Sequence, residues 1–419
     1  MTNGEFSTQQ VKDVVSFSKG KPPAEQPYFG IDAELYLTPE YLRGGAASEP
    51  IRANKNAARV NGGETIVLWD GSNAGEVFRA RAGVLSSTMV HLKPIDSFDG
   101  DYFFYAMKGW EGYLKGQTSG SGIPHVDKEV LGKLELVQFP TVEQSKIAEI
   151  LSTVDQAIEQ TEALIAKQQR IKTGLMQDLL TRGIDEHGQL RTEQTHAFKD
   201  SPLGRIPVEW EVARLGEVAA ISAGVTLGKS YEGPNTVELP YLRVANVQDG
   251  FLDLSEMKLI RVPKNHLEKY ELKVGDVLMN EGGDFDKLGR GAVWRGQVPV
   301  CLHQNHVFKV RPHNEKLASD FLAAVSASPY GKSFFMMASK QSTNLASINS
   351  TQLKAFPIPL PDYQEQIRIQ TQFKSLAEVL NGSETELKKQ RSLKAALMQD
   401  LLTGSKRVND LLNGEVCSS

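Results

Sequence analysis

The sequence predicts an α+β protein: two pseudo-symmetric globular domains separated by two long antiparallel coiled-coil helices. Three observations lead to this prediction. A seven-residue segment occurs twice, apolar residues before each copy follow coiled-coil spacing, and the rest of the chain alternates short β-branched runs with glycine-containing turns. With 419 residues, of which 40% are hydrophobic and 23% charged, the chain is long enough for two or three folded domains.

The first globular domain is predicted over residues 1–140. Runs rich in β-branched residues at 65–68, 75–78 and 87–92 indicate short strands, and a glycine-containing loop separates the first two. Helical stretches are few by comparison. This pattern is typical of an α+β module in which strands dominate.

The first long helix is predicted over residues 141–183. Its end, Leu-Met-Gln-Asp-Leu-Leu-Thr at 175–181, recurs at 397–403, and 14 of 39 positions match when 143–181 is aligned with 365–403. Apolar residues lie alternately three and four apart, the spacing of a coiled-coil seam, and about 39 helical residues span roughly 58 Å. The predicted helix-pairing residues are Leu151, Val154, Ile158, Ile165, Leu175 and Leu179.

The remaining elements repeat this order. Residues 184–205 are polar with two glycines and predict a linker, residues 206–361 a second globular domain, residues 362–404 the second long helix, and residues 405–419 a tail. Polar residues at equivalent seam positions predict that the helices pair with each other in one register. Two unrelated helices, each packed on its own domain, are the alternative. The second set of pairing residues is Phe373, Leu376, Leu380, Leu387, Leu397 and Leu401.

Composition limits the cellular setting. The 47 basic and 51 acidic residues give a net charge of −4, which argues against a non-specific nucleic-acid coat. The two cysteines, Cys301 and Cys417, are far apart and predict no disulfide framework. The sequence has no apolar run near the roughly 20 residues of a spanning helix and no signal-peptide pattern at its start. We therefore expect a cytoplasmic protein without a membrane segment.

Motifs of catalysis and metal binding are missing from the sequence. It contains no Asn/Asp-Pro-Pro-aromatic tetrapeptide, no methyl-donor glycine fingerprint, no phosphate-binding GxxxxGK[ST] loop and no HExxH. His303 and His306 lie in a strand-like run that does not supply a full set of metal ligands, and Asp284 and Asp286 stand in a glycine-flanked turn where Asx-turn roles are common. We expect no metal and no catalytic residue in this chain.

Further motifs in the sequence are a Pro-Leu-Gly-x-Ile-Pro-x-x-Trp lead-in at 202–210, Leu-Gly-Glu-Val at 215–218, Gly-Asp-Val-Leu at 275–278, an exit at 357–361 into Glu365-Gln366, and both helix ends. With these motifs the sequence resembles the specificity (S) subunits of type I restriction-modification systems over nearly its whole length. The duplicated helix end is the motif most specific to this family, whereas the Gly-Asp strand motif alone would be weak evidence for it. In one respect the chain departs from the family pattern, because the lead-in stands before the second domain only.

The resemblance implies a non-catalytic subunit that selects double-stranded DNA for other subunits. Each globular domain would be a target-recognition domain reading one half of a bipartite, asymmetric target. The helices would set the spacing and dock two copies of an adenine methyltransferase (modification) subunit, which carries S-adenosylmethionine. A motor-endonuclease (restriction) subunit can join such complexes. Independently of the resemblance, helices of roughly 58 Å would match about 17 base pairs at 3.4 Å each.

Candidate DNA-contacting residues are the polar and basic side chains in turn-rich segments, because guanine favours a bidentate Arg or Lys and adenine a bidentate Asn or Gln. For any one of them, a solvated loop residue or a phosphate contact is the more common role. The basic turns at 167–170 and 388–391 are either a solvated face or a surface that docks a partner or contacts the DNA backbone. The candidates are Ser72, Asn73, Arg79, Arg81, Lys115, Gln117, Ser119, Ser121 and His125 in the first domain, and Arg243, Asn246, Lys287, Arg290, Gln304, Asn305, Lys340, Gln341, Ser342 and Asn344 in the second.

Three other functions remain open at this stage. An autonomous DNA-binding regulator would use the same two domains without a partner. A purely structural coiled-coil scaffold would show no sequence-specific DNA protection. A lone methyltransferase is disfavoured because the sequence lacks a methyl-donor pocket motif.

Overall fold

The computed structural model describes residues 7–118, 123–283, 288–289, 291–341 and 346–409, with only the backbone of Gln341. The chain forms two compact units. The first unit joins Met1–Ala163 to Glu384–Ser419, and the second is Leu164–Ser383. Each unit therefore contains one globular domain together with part of both long helices.

The first globular domain is built from short strands and helices that precede one long helix. Hydrophobic runs form its buried strands, and Asp99 and Asp127 cap its helices by accepting backbone N–H bonds. In chain order the elements are β1 Thr8–Gln10, α1 Val11–Val14, β2 Val15–Lys19, β3 Tyr36–Leu37, α2 Pro39–Leu42, β4 Arg59–Val60, β5 Thr65–Leu68, β6 Val77–Arg79, β7 Gly83–Leu85, β8 Met89–Pro94, α3 Gly100–Gly109, α4 Glu111–Gly116, α5 Lys128–Gly132, β9 Glu135–Val137 and the long helix α6 Thr141–Thr181.

The sheet at the centre of the first domain has four antiparallel strands in the order β2-β8-β5-β6. A three-stranded sheet, β3-β7-β4, and the pair β1-β9 complete the strand structure. Tyr102 and Phe103 of α3 are fully buried in the core, which also contains Leu151 of α6 and Leu401 near the end of the second long helix. Both long helices thus contribute to the core of this unit.

The second domain follows with its own set of elements. They are β10 Phe198–Ser201, β11 Gly204–Pro207, β12 Glu211–Arg214, α7 Leu215–Val218, β13 Ala219–Ser222, β14 Thr236–Leu242, β15 Lys258–Pro263, α8 Leu267–Tyr270, β16 Val277–Asn280, β17 Gly282–Gly283, β18 Gly291–Val293, β19 Leu302–His303, β20 Val307–Pro312, α9 Ser319–Ala327, α10 Pro329–Ala338, β21 Lys340–Gln341, β22 Ala346–Ser347, α11 Ser350–Lys354, β23 Pro357–Leu360 and the long helix α12 Tyr363–Leu402, with 3₁₀ turns at Val244–Asn246 and Lys264–His266.

The strand order of the second domain repeats that of the first. The sheet β13-β20-β16-β18 corresponds to β2-β8-β5-β6, and the pair β12-β23 corresponds to β1-β9. Sheets β15-β14-β19, β17-β22-β21 and the hairpin β10-β11 are also present. The core contains Trp210, Phe321 and Phe356, and again both long helices contribute to it, with Leu179 of α6 and Ile369 of α12. The fold is α+β with two pseudo-symmetric domains and two long coiled-coil helices, as the sequence predicts.

Within each unit the two long helices run antiparallel. In the first unit, Asp155 and Glu162 of α6 pair with Lys394 and Arg391 of α12, at 2.5 and 2.7 Å, so rising numbers on one helix meet falling numbers on the other. In the second unit the C-terminal part of α6 and the N-terminal part of α12 lie in one apolar cluster. No helix among the described residues is long and apolar enough to span a membrane.

The segment that composition alone presents as a linker has a defined structure. Strand β10 and the start of β11 lie within residues 184–205 and pair as a hairpin, and Ile184 is 3% exposed. Arg191, in the polar part of the segment, is only 8% exposed. The described part of the tail also packs on a core, because Val408 is 2% exposed.

Candidate functional site

The first domain brings three of the predicted DNA-contacting residues to one end of its central sheet. Ser72 and Asn73 are exposed in the turn after β5, and His125 lies beside them because Asp70 and His125 form a β-bridge. Gly75 closes this turn against α4 so tightly that a Cβ would lie 2.9 Å from the backbone nitrogen of Lys115. The turn, His125 and the C-terminal end of α4 therefore form one loop cluster.

Four other predicted residues of the first domain make contacts within it or lie at its surface. Arg79 of β6 pairs with Asp101, and its guanidinium lies 4.4 Å from the ring centroid of Phe104. Arg81 donates to the Tyr41 hydroxyl at 2.9 Å. Lys115 pairs with Glu111 at 2.9 Å, and Gln117 is exposed at the end of α4. Ser119 and Ser121 lie outside the described residues.

In the second domain, Asn246 holds its own loop together. Its side-chain oxygen accepts from the Arg243 backbone N–H at 2.9 Å, and its amide donates to the carbonyl oxygens of Asp253 and Glu256 at 2.8 and 3.0 Å. The residue is only 3% exposed. Arg243 in turn pairs with Glu256 at 3.2 Å. Asn246 therefore orders the loop rather than facing its surface.

Other predicted residues of the second domain lie near the β19-β20 turn or at the surface. Gln304 and Asn305 are half-buried in that turn, and the Gln304 backbone N–H donates to Leu242, the neighbour of Arg243, at 2.9 Å. The structure thus brings Arg243 and Gln304 close together. Lys340 is exposed on β21. Outside the described residues lie the other predicted DNA-contacting residues: Lys287, Arg290, Ser342, Asn344 and the side chain of Gln341. Asp284 and Asp286 also lie outside them.

The predicted helix-pairing residues are buried or half-buried without exception. On α6 the buried members are Leu151, Ile165 and Leu179, and on α12 they are Leu380 and Leu401. The half-buried members are Val154, Ile158, Leu175, Phe373, Leu376, Leu387 and Leu397. Polar Gln168 and Gln390 occupy equivalent positions in this series, and the side-chain oxygen of each is buried without a hydrogen-bond partner.

A feature that sequence reasoning missed lies at the start of each long helix. Gln144 accepts the Asp99 backbone N–H at 2.7 Å and donates to the carbonyl oxygens of Ser97 and Phe139 at 3.0 and 2.8 Å. Gln366 repeats this arrangement. It accepts from Ala318 at 2.8 Å and donates to Lys316 and Pro361 at 2.9 and 3.1 Å. Each glutamine thus ties its long helix to the domain that precedes it.

The glutamate before each glutamine binds an arginine from the segment that follows the other long helix. Glu143 receives Nε and Nη2 of Arg407 at 2.6 and 2.5 Å. Glu365 receives both terminal nitrogens of Arg191, the backbone N–H of Ile184 at 3.0 Å and the Trp210 indole N–H at 3.2 Å. The repeated Glu-Gln letters were the available signal, but the arginines are not aligned in the duplication and could not be found from it.

Titratable groups of the second domain show the effect of burial. Burial lowers the pKa of His303 to about 4, and its Nδ1 lies 2.7 Å from the Val307 carbonyl oxygen. Burial raises the pKa of the Cys301 thiol to about 12. His306, which the sequence places near His303, instead contacts Glu281 at 2.6 Å. Among the residues that the structure describes, no group of three or more His, Cys, Asp or Glu could hold a metal ion.

Comparison with known proteins assigns the family. The sequence model described as "Type I restriction modification DNA specificity domain" matches residues 3–168 and 207–391, well over half of the chain. The chain belongs to this family. Each of the two matched segments covers one globular domain and much of the long helix after it, so the family match repeats the duplication seen in the sequence and in the sheets.

Individual family members and solved structures agree with this assignment. The type I restriction enzyme MjaVIII specificity subunit of Methanocaldococcus jannaschii is 34% identical, over 97% of this chain and 94% of its own length. The EcoBI specificity subunit of Escherichia coli is 21% identical, over 84% of this chain and 77% of its own. The type I restriction-modification S subunit of M. genitalium shares the fold, with a TM-score of 0.59, 16% identity and coverage of 96% of this chain and 97% of its own.

Proposed function

We propose that this chain is the subunit of a type I restriction-modification complex that selects the DNA target, each globular domain reading one half of a bipartite, asymmetric sequence. The observation that carries the proposal is the family match to both halves of a duplicated chain. The sheet order is the same in the two domains, whereas the residues on their loops differ. A shared scaffold with different loops suits two domains that read different bases.

Within this function, the loop clusters are the surfaces that would contact DNA. In the first domain the cluster contains exposed Ser72 and Asn73 beside His125. In the second, Arg243 and Gln304 lie on adjacent segments. Amide and guanidinium groups on loops can form the bidentate contacts that distinguish bases in the major groove. Partner subunits, and not this chain, would carry out the chemistry on DNA. The methyltransferase subunit would bind S-adenosylmethionine.

Equivalent positions on the two long helices support docking of two copies of one methyltransferase subunit. Ile171 of α6 and Leu393 of α12 are 222 residues apart and are 49% and 53% exposed. Each follows a turn rich in Lys and Arg, at 167–170 and 388–391. A repeated apolar residue beside a repeated basic turn predicts two equivalent contacts for one kind of partner. A motor-endonuclease subunit would join this assembly.

The test of the function is single-molecule sequencing of N6-methyladenine in DNA from a methylation-free host. Cells would express the partner methyltransferase subunit, with or without the chain. We expect a split motif with a fixed gap only when the chain is present. Asn73→Ala should alter recognition of one half-site and Gln304→Ala that of the other, with the exposed Gln189→Ala as the control. An unchanged methylation pattern with an active partner would contradict the proposal.

The stoichiometry needs its own experiment. Native mass spectrometry of the purified complex should give two methyltransferase subunits for each copy of this chain. Ile171→Asp and Leu393→Asp should each remove one of the two copies, and Val274→Asp, at an exposed residue of the second domain, should remove neither. Radiolabelled S-adenosylmethionine should bind the complex but not this chain alone. A complex with one methyltransferase subunit would overturn the two-site arrangement.

A further inference from the structure

Each long helix begins with an ionic joint between a buried glutamate and an arginine from the segment beyond the end of the other long helix. Glu143 is the third residue of α6, and Arg407 lies five residues beyond the end of α12. Glu365 is the third residue of α12, and Arg191 lies ten residues beyond the end of α6. We call Glu143 with Arg407 the first joint and Glu365 with Arg191 the second joint. Each joint lies within one compact unit.

Bonding in the first joint is directional. Two nitrogens of Arg407 approach the two carboxylate oxygens of Glu143 separately, at 2.6 and 2.5 Å. A bidentate guanidinium-carboxylate pair needs both groups to be coplanar and in contact along one edge, so it tolerates little displacement. The Glu143 side chain is 2% exposed and that of Arg407 36%. The joint is therefore protected on the helix side and open to water on the other.

In the second joint the carboxylate has more partners. Glu365 accepts from Arg191, from the Trp210 indole and from the backbone of Ile184. Gly183 makes this approach possible, because it has a φ of +62° and a Cβ there would lie 2.1 Å from a Glu365 oxygen. Three groups from the chain after α6 thus converge on one carboxylate at the start of α12.

The adjacent glutamines complete the connection. Gln144 and Gln366 each bind three backbone groups of the domain that precedes their helix. A Glu-Gln pair therefore connects three parts of one unit: the globular domain, the start of one long helix and the region beyond the end of the other. Moving one helix along the other would break the glutamate contacts while leaving the glutamine contacts in place.

The seam between the helices supplies a weaker constraint on register. It consists mainly of aliphatic residues, with one aromatic residue at Phe373 and polar interruptions at Gln168, Lys172, Gln390 and Lys394, of which Lys394 pairs with Asp155. A slip of one heptad brings similar residues opposite each other again and displaces one helix by about 10 Å, roughly three base pairs. Ordinary apolar packing resists such a slip less sharply than a bidentate charged pair does.

We infer that the two joints are positioning elements: Glu143 with Arg407, and Glu365 with Arg191, fix the register of the two long helices and thereby the length of the gap between the half-sites. This inference rests on the proposed function. It assigns the joints a role in specificity, although neither joint contacts a base. A purely structural pair would affect stability and leave the gap unchanged.

The test uses the first joint, because its half-exposed arginine tolerates substitution. The methyltransferase complex is prepared with Arg407→Lys, which keeps the charge but cannot form the bidentate pair, and with Glu143→Gln. Methylation by each complex is sequenced on a DNA library in which the native half-sites are separated by the native gap or by gaps one to three base pairs shorter or longer. The control is Glu162→Gln, which removes an exposed pair with Arg391 between the same helices.

We expect both joint variants to reduce the preference for the native gap by about tenfold, the equivalent of one charge-assisted hydrogen bond. Glu162→Gln should retain the native preference. If Glu143→Gln does not fold, Arg407→Lys alone decides the question, with its melting temperature recorded beside its gap preference. Native gap preference in a folded Arg407→Lys complex would overturn the inference. A wild-type complex that methylates no split motif would instead contradict the proposed function.

Discussion

The two ionic joints place two equivalent glutamates, Glu143 and Glu365, in different surroundings. Glu365 receives hydrogen bonds from two side chains and one backbone amide, and the side chain of its arginine is 10% exposed. Glu143 is bound by Arg407, whose side chain remains 36% exposed. The duplicated motif therefore keeps a glutamate-arginine pair in both units, while the burial of the arginine differs between them. The difference predicts that the second unit is more sensitive than the first to loss of a charge or a change in shape. The buried His303 of the second unit adds a sensitivity to acidification.

The largest difference is expected from neutralising the two glutamates. Glu365→Gln leaves Arg191 buried without a counter-charge and should lower the free energy of unfolding by about 3 to 5 kcal/mol. Glu143→Gln should lower it by about 1 kcal/mol, because water can solvate Arg407. Urea unfolding gives the magnitudes, and hydrogen exchange measured by mass spectrometry shows which unit opens. Equal losses for both variants would contradict the comparison.

Gly183 allows the shape of the second joint to be tested separately from its charge. Gly183→Ala places a methyl group against Glu365 and Trp210 at a φ of +62°, and should destabilise the protein by about 3 kcal/mol. Gly188→Ala is the matched control, since Gly188 has a φ of +77° with nothing near its Cβ position. The control should lose only about 1 kcal/mol, the backbone contribution. Thermal unfolding of both variants measures the difference.

Acidification should affect the second unit more than the first. His303 titrates near 4 in the folded protein and near 6.5 when unfolded, so the unfolded chain binds one more proton between these values. Stability should fall as the pH drops below about 6.5, by about 2 kcal/mol at pH 5, and His303 contributes nothing above pH 7. Burial also lowers the pKa of His91 in the first unit, but Glu64, 3.5 Å away, opposes the shift.

The measurement is the free energy of unfolding from pH 7.5 to pH 4.5. His303→Asn keeps a side-chain donor near the Val307 carbonyl oxygen and should flatten the slope by one proton. His187→Gln, at an exposed histidine, should leave the slope unchanged. A His303→Asn variant with the wild-type slope would show that this histidine is not responsible.

The smallest effect is expected where the two units are most alike. Gln168 and Gln390 lie at equivalent seam positions, each with a buried side-chain oxygen that lacks a partner. Gln168→Leu and Gln390→Leu should each stabilise the protein by about 1 kcal/mol. Gln169→Leu, on the exposed face, should change little. Thermal unfolding of the three variants measures these changes. A stabilisation by only one of the two seam variants would contradict the expected equivalence of Gln168 and Gln390.

Much of the architecture could be predicted because it follows from the spacing of apolar residues that are close together in the sequence. The long helices begin at Thr141 and Tyr363 and end at Thr181 and Leu402, close to the predicted limits 141–183 and 362–404. Their apolar residues lie alternately three and four apart over many turns, so the helices can be recognised in spite of polar interruptions. Short strands were indicated by β-branched runs between glycine turns, and the structure contains strands at 65–68, 77–79 and 89–94.

The candidate DNA-contacting residues show what loop composition leaves open. Asn73 and Asn246 have the same side chain and both lie in turn-rich segments, yet Asn73 is exposed and Asn246 is buried as the support of its loop. An amide that can bind a base edge can equally well bind backbone carbonyl oxygens. Which of the two it does depends on the path of the surrounding chain. The remaining surface candidates stay predictions.

By itself the sequence determined the duplication, the two long helices and their apolar seam, because each of these is a pattern among neighbouring residues. Only the tertiary structure decided the joints. Arg191 and Glu365 are 174 residues apart and Arg407 and Glu143 are 264 apart, and the arginines stand at different distances beyond their helices. Periodicity carries no information about such pairs. They form because a carboxylate buried at a helix start must find a cationic partner, and the fold determines which arginine can reach it.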